Sequence, residues 1–132
     1  MTAQRLLVAV VLVAAVVIQS ESAAQSPAAK TVDIVSITGC LREQGAGNWM
    51  LVAATEPVVS IANAAQASEL PKAPPDGKNT FKLIGVGEFG LATRKDHTVV
   101  ARGLLIKASP VSRLNLTSVV EALPACAPSA QK

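Results

Sequence analysis

Aromatic side chains are scarce in this chain: there is no tyrosine, one tryptophan and two phenylalanines among 132 residues. Sequence-tolerant binding of single strands needs exposed aromatics interleaved with basic residues. Three rings supply little of that, and Trp49 and Phe81 fall in runs that read as core strands. Histidine is scarcer still. With His97 alone and only Cys40 and Cys126 beside it, a four-ligand metal site has too few members. No metal and no cofactor are expected.

A hydrolytic triad fails for a related reason. His97 has Asp96 as its direct neighbour, and neighbouring residues of a strand point to opposite faces. The G-x-S-x-G nucleophile turn is missing. The carboxylates Asp33, Glu43, Glu56, Glu69, Asp76, Glu88, Asp96 and Glu121 show no spacing suited to acid–base work. The basic residues form no block, so strong attraction to nucleic acid or anionic lipid is not expected either. These absences argue against an enzyme.

What the sequence does have is one long apolar run. Met1 to Arg5 carries a single positive charge, and Leu6 to Ile18 is apolar throughout. The polar stretch QSESAAQS follows. Basic start, apolar middle and small residues describe a secretory signal peptide, residues 1–24, with cleavage expected after Ala24. An uncleaved anchor is the alternative, but its 13 apolar residues fall short of the roughly 20 that span a bilayer. Thr38-Gly39-Cys40 lies too far from the run to direct lipidation. The expected location is periplasmic or secreted, without stable membrane insertion after cleavage. Removing residues 1–24 takes away Arg5 and Glu21 and leaves the net charge at +3.

Export would place Cys40 and Cys126 in an oxidising compartment, where the single possible intrachain pair is expected as a disulfide. Two reduced, buried thiols are the alternative. Closing so long a loop is assigned about 4.5 kcal/mol by the chain-entropy model.

Five runs of the mature chain read as strands. Val32 to Arg42 alternates, with Val35, Ile37, Gly39 and Leu41 on one face. After the turn EQGAGN comes Trp49 to Thr55, completing a hairpin. Thr80 to Gly85 puts Phe81 and Leu83 on one face. His97 to Lys107 is next, with Gly103 at mid-strand suggesting a bulge or bend. Arg113 to Leu123 closes the set, with Leu114, Leu116, Ser118 and Val120 expected on one side. Between the second and third strands, residues 57–78 are rich in alanine and proline and read as an exposed insertion that admits a turn or two of helix. Residues 25–31 read as a flexible leader and 127–132 as a flexible tail, which leaves 32–126 as the domain.

Within FKLIGVGEFGL, Gly85, Gly87 and Gly90 spell G-x-G-x-x-G. A dinucleotide fingerprint also needs a full crossover helix and an acidic residue about 20 positions on. Here the next strand starts about seven residues after Gly90, and the position 20 beyond Gly87 is Lys107. A parallel crossover takes a dozen residues or more. The glycines therefore read as the exit from a strand into a tight turn, with one short helix over Glu88 to Arg94.

Five strands with a short helix after the third is the order of an all-β, OB-like barrel, and closure removes the exposed edges of so small a sheet. An open five-stranded sheet with one helix is the alternative. Thr38-Gly39-Cys40-Leu41 ending the first strand, Trp49 to Val52, Phe81 to Gly85, Lys95 to Gly103 and a cysteine after the last strand together resemble small exported bacterial proteins with a single OB-like barrel. The resemblance covers residues 33 to 126, and the insertion departs from it. It implies a fold and a compartment more than an activity.

The expectation is a non-enzymatic binding module whose partner is an envelope protein or a small ligand. Its contact face is drawn through Arg42, Lys82 and Arg102, rimmed by the insertion, with Arg113 within reach. An oligosaccharide or single-stranded nucleic-acid binder using Trp49 and the same basic residues is the alternative.

Overall fold

The computed structural model describes residues 33–128. The expected signal segment, the leader and the end of the tail lie outside them. Six strands form the described chain: β1 (Ile34–Glu43), β2 (Trp49–Ala54), β3 (Val58–Ser60), β4 (Asn79–Ile84), β5 (Thr98–Ile106) and β6 (Arg113–Leu123). They pair in the order β2-β4-β6-β5-β1-β3, and β1 pairs with β2 as well. That extra pairing closes β1-β2-β4-β6-β5 into a ring, an OB-like barrel. All its pairings are antiparallel except β4 with β6.

Alternation drives the closure. Val35, Ile37 and Leu41 of β1 point inward, as do Leu51, Phe81, Leu83, Val99, Ala101 and Leu114, and all are buried in one cluster. Each large aliphatic side chain buried this way contributes about 1.5–3 kcal/mol relative to exposure. Gly39 shares that inward face. A Cβ there would lie 2.8 Å from Leu51 Cγ, so the glycine leaves the room that Leu51 fills.

Gly103 does make a bend. The register between β5 and β6 shifts between Arg102 and Gly103. A Cβ on Gly103 would sit 2.1 Å from the Asn115 carbonyl oxygen. The shift corrects the expected parity of β6. Leu114 and Leu116 are inward, but past the bulge the core residue is Val119 rather than Ser118 or Val120. One extra residue on one strand reverses the faces that follow it.

The insertion is also more structured than expected. β1 is longer than β2, whose register with it covers Glu43 to Cys40 only. The chain leaves β2 through a bulge at Ala53, with φ +47°. Thr55 N–H then donates to the Thr38 carbonyl, and Thr38 N–H to Thr55 Oγ1. β3 takes up the remaining edge of β1 at Ile34 to Ser36. β3 thus continues β2 along the same edge, so the unpaired start of β1 is covered. Beyond it the stretch that admits a turn or two of helix forms a single 3-10 turn, Ala67–Glu69.

The barrel's two ends differ. At the end where β4 leaves and β5 enters, two 3-10 turns, Val86–Glu88 and Leu91–Arg94, stand in place of the one expected helix. Leu91 is buried in the core, and Val86 and Phe89 pack against it. Gly85 (φ +67°) and Gly90 (φ +58°) begin these turns in left-handed conformations that side chains disfavour. Gly87, the middle glycine of the motif, has neither a positive φ nor a close neighbour. The opposite end, ringed by the starts of β1, β4 and β6 and the ends of β2 and β5, has no such plug among the described residues.

Cys40 and Cys126 are bonded, with Cα atoms 5.4 Å apart. The disulfide fastens the chain after β6 to the outer wall of β1, beside Thr98, whose Oγ1 donates to the Ala125 carbonyl. Ala127, expected in a flexible tail, is buried with Cys126.

Candidate functional site

The register locates the expected basic face. Arg42 lies opposite Met50, Met50 opposite Lys82, and Lys82 beside Arg113. Residues directly opposed across strands project to the same side. Arg42, Lys82 and Arg113 therefore form one row across four adjacent strands, on the outer wall. The row exists because Leu51, Phe81, Leu83 and Leu114 claim the inner positions and force their neighbours outward.

The members of the row are not equivalent. Arg42 Nη1 donates to Asp96 Oδ1 at 2.7 Å, and its side chain is only 22% exposed. Asp96 sits at φ +65°, with its N–H donating to the Leu41 carbonyl. Lys82 and Arg113 are exposed and form no ion pair with any described residue. They carry the free positive charge of the row. Met50, between Arg42 and Lys82, is buried and apolar.

Arg102 does not join them. It faces outward as expected, paired with Ser36 on one side and Ser118 on the other. It lies four residues from Ile106, the partner of Arg113, roughly 13 Å along the strand. There the insertion covers it, leaving 2% exposed. Its Nη1 donates to the carbonyls of Ala62 (3.1 Å) and Ala64 (2.6 Å), and its Nη2 to Glu69 Oε1 (2.8 Å). Its Nε and the Oγ of Ser118 are buried without a protein partner. The expected contact residue is thus an anchor for residues 62–69. Alternation reads the direction of a side chain but not what folds over it from 40 residues away.

Glu69 completes the anchor. Its carboxyl is held below the ordinary glutamate range, chiefly by the Gln66 backbone N–H that donates to it and then by the Arg102 guanidinium. Desolvation works against this.

Trp49 is buried at 7% exposure within the core cluster, and Phe81 at 6%. Phe89 is half-buried against the same cluster. The stacking surface required by the alternative reading is not offered by these three rings. His97 and Asp96 diverge as adjacent residues should: His97 Nδ1 lies 2.7 Å from Glu121 Oε1, while Asp96 turns to Arg42. Among the described residues no group of three His, Cys, Asp or Glu side chains is placed to hold a metal.

No protein-family model, curated protein or solved structure matches this chain.

Proposed function

We propose that this chain is an exported, non-enzymatic binding module of the bacterial cell envelope, meeting an acidic partner through the side wall that carries Lys82 and Arg113. The observation behind this is the cross-strand row, in which two cations stand exposed and unneutralised on a rigid sheet. Fixed positive charge of this kind speeds encounter with negative partners and fades with added salt. Export is supported by the basic-apolar-small pattern of residues 1–24 and by a disulfide of the kind that persists in oxidising compartments. The alternative, an oligosaccharide or single-strand binder, loses support from the burial of Trp49 and Phe81.

The test uses tagged protein crosslinked in its native envelope. Fractionation should place it outside the cytoplasm. A specific partner should be captured at low salt, and capture should weaken when Lys82→Glu and Arg113→Glu are combined. A partner retained equally by the double variant, or a cytoplasmic location, would refute the reading.

A further inference from the structure

The unplugged end of the barrel carries an open depression of about 440 Å3. That size is ordinary for a small-molecule site, and barrel mouths are a common place for one. Its apolar floor is built by inward residues of three strands: Val35 of β1, Phe81 of β4 and Leu105 of β5. Its rim is polar. Glu56 and Asn79 stand on one part of it, with Asn79 Nδ2 donating to Glu56 Oε1 at 2.8 Å. Lys107 stands on another, without an ion pair to any described residue.

A second observation comes from the surface around it. The exposed large hydrophobics of the described chain are Val58, Val59, Ile61 and Ile106. All belong to this end, in or just after β3 and at the close of β5. Val59 is paired directly with Val35 and so projects to the same side, extending the cavity wall as a lip. Val58, opposite Ser36, and Ile106, opposite Arg113, project to the outer wall, so of these paired residues Val59 alone adds apolar surface on the inner side.

We propose that this mouth binds a small zwitterionic amphiphile, such as an apolar amino acid or a short apolar peptide. The apolar body enters between Val35, Phe81 and Leu105. Its ammonium group faces Glu56 and its carboxylate faces Lys107. An amphiphile of one charge meets attraction at one rim residue and repulsion at the other, whereas a zwitterion satisfies both. Because Glu56 and Lys107 are exposed, each contact is worth only a small factor in affinity, and the buried body carries most of the binding. This site is separate from the side wall of Lys82 and Arg113, and either can fail without the other.

The experiment is an amide and side-chain NMR titration of the oxidised protein with dileucine. N-acetyl-dileucine and dileucine amide serve as single-charge probes. The expected result is saturable shifts at Val35, Phe81, Leu105 and Lys107, with the Trp49 indole and Leu91 at the plugged end unmoved. Blocking either terminus should weaken binding about two- to fivefold. Lys107→Gln should abolish the preference for a free carboxylate, and Glu56→Gln the preference for a free ammonium; both positions are exposed and tolerate the change. The proposal is overturned if none of the probes gives saturable shifts, if the shifts fall elsewhere, or if the blocked peptides bind as tightly as the free one.

Discussion

Two segments lie across the outer wall of this barrel, and they are fastened by different physics. The chain after β6 is held covalently, Cys126 to Cys40, with Thr98 adding one hydrogen bond. The insertion at 62–69 is held by one buried guanidinium reaching two carbonyls and a carboxylate. A disulfide acts mainly by shrinking the unfolded ensemble, so removing it lowers the stability of the whole domain. Arg102 acts only in the folded state and on one neighbourhood, so its loss should free that neighbourhood first. The first fastener answers to redox conditions, the second to ionisation.

The largest break in that contrast comes from the covalent side. Replacing both cysteines by serine should lower unfolding free energy by about 2–5 kcal/mol, read by urea denaturation. A loss confined to the tail, with an unchanged midpoint, would contradict the global role. Next is Gly103→Ala, which drives a Cβ into the Asn115 carbonyl and disturbs the bulge that aims Arg102. Roughly 3 kcal/mol is expected in the same assay, together with lost protection of residues 62–69.

Arg102→Ala isolates the polar fastener. It should cost about 1–3 kcal/mol, because the two carbonyls lose their donor. Hydrogen exchange should show 62–69 opening while β1, β5 and β6 stay protected. Uniform loss across the barrel would mean that Arg102 supports the core instead.

Acid should sharpen the same distinction without mutation. The folded-state Glu69 carboxyl titrates below its unfolded value. Its contribution is therefore complete above the ordinary glutamate range and is lost as pH falls through the depressed folded value. Limited proteolysis in that acid window should cut the insertion before the barrel, and reduction at neutral pH should not reproduce the pattern. The smallest effect belongs to Lys82→Glu. It lies within about 0.5 kcal/mol in stability, since an exposed charge away from any ion pair contributes little to folding.

Much of this was legible beforehand, for a local reason. β1 alternates cleanly over Val35, Ile37, Gly39 and Leu41, and the burial follows that alternation. Two cysteines allow one pairing, and that pairing is present. β3 was not legible, because a three-residue strand has no period to detect and owes its existence to the unpaired edge of β1. The parity of β6 past the bulge was not legible either, since a register shift belongs to a pair of strands.

The candidate site divides in the same way. Lys82 and Arg113 were readable as outward residues flanked by core positions, and their adjacency follows from the parallel β4–β6 pairing alone. Arg102 was equally readable as outward, yet it is buried. Its cover consists of alanine carbonyls and one glutamate from a segment with no recognisable pattern.

The sequence by itself determined which side chains of β1 and β4 face the barrel interior and which sulfurs could join, because alternation and pair counting are properties of the chain alone. Only the tertiary structure decided which outward charges meet solvent, where the faces of β6 reverse, and which end of the barrel is left open. Those depend on segments distant in sequence coming to rest on one another, and packing of that kind leaves no periodic trace in either segment.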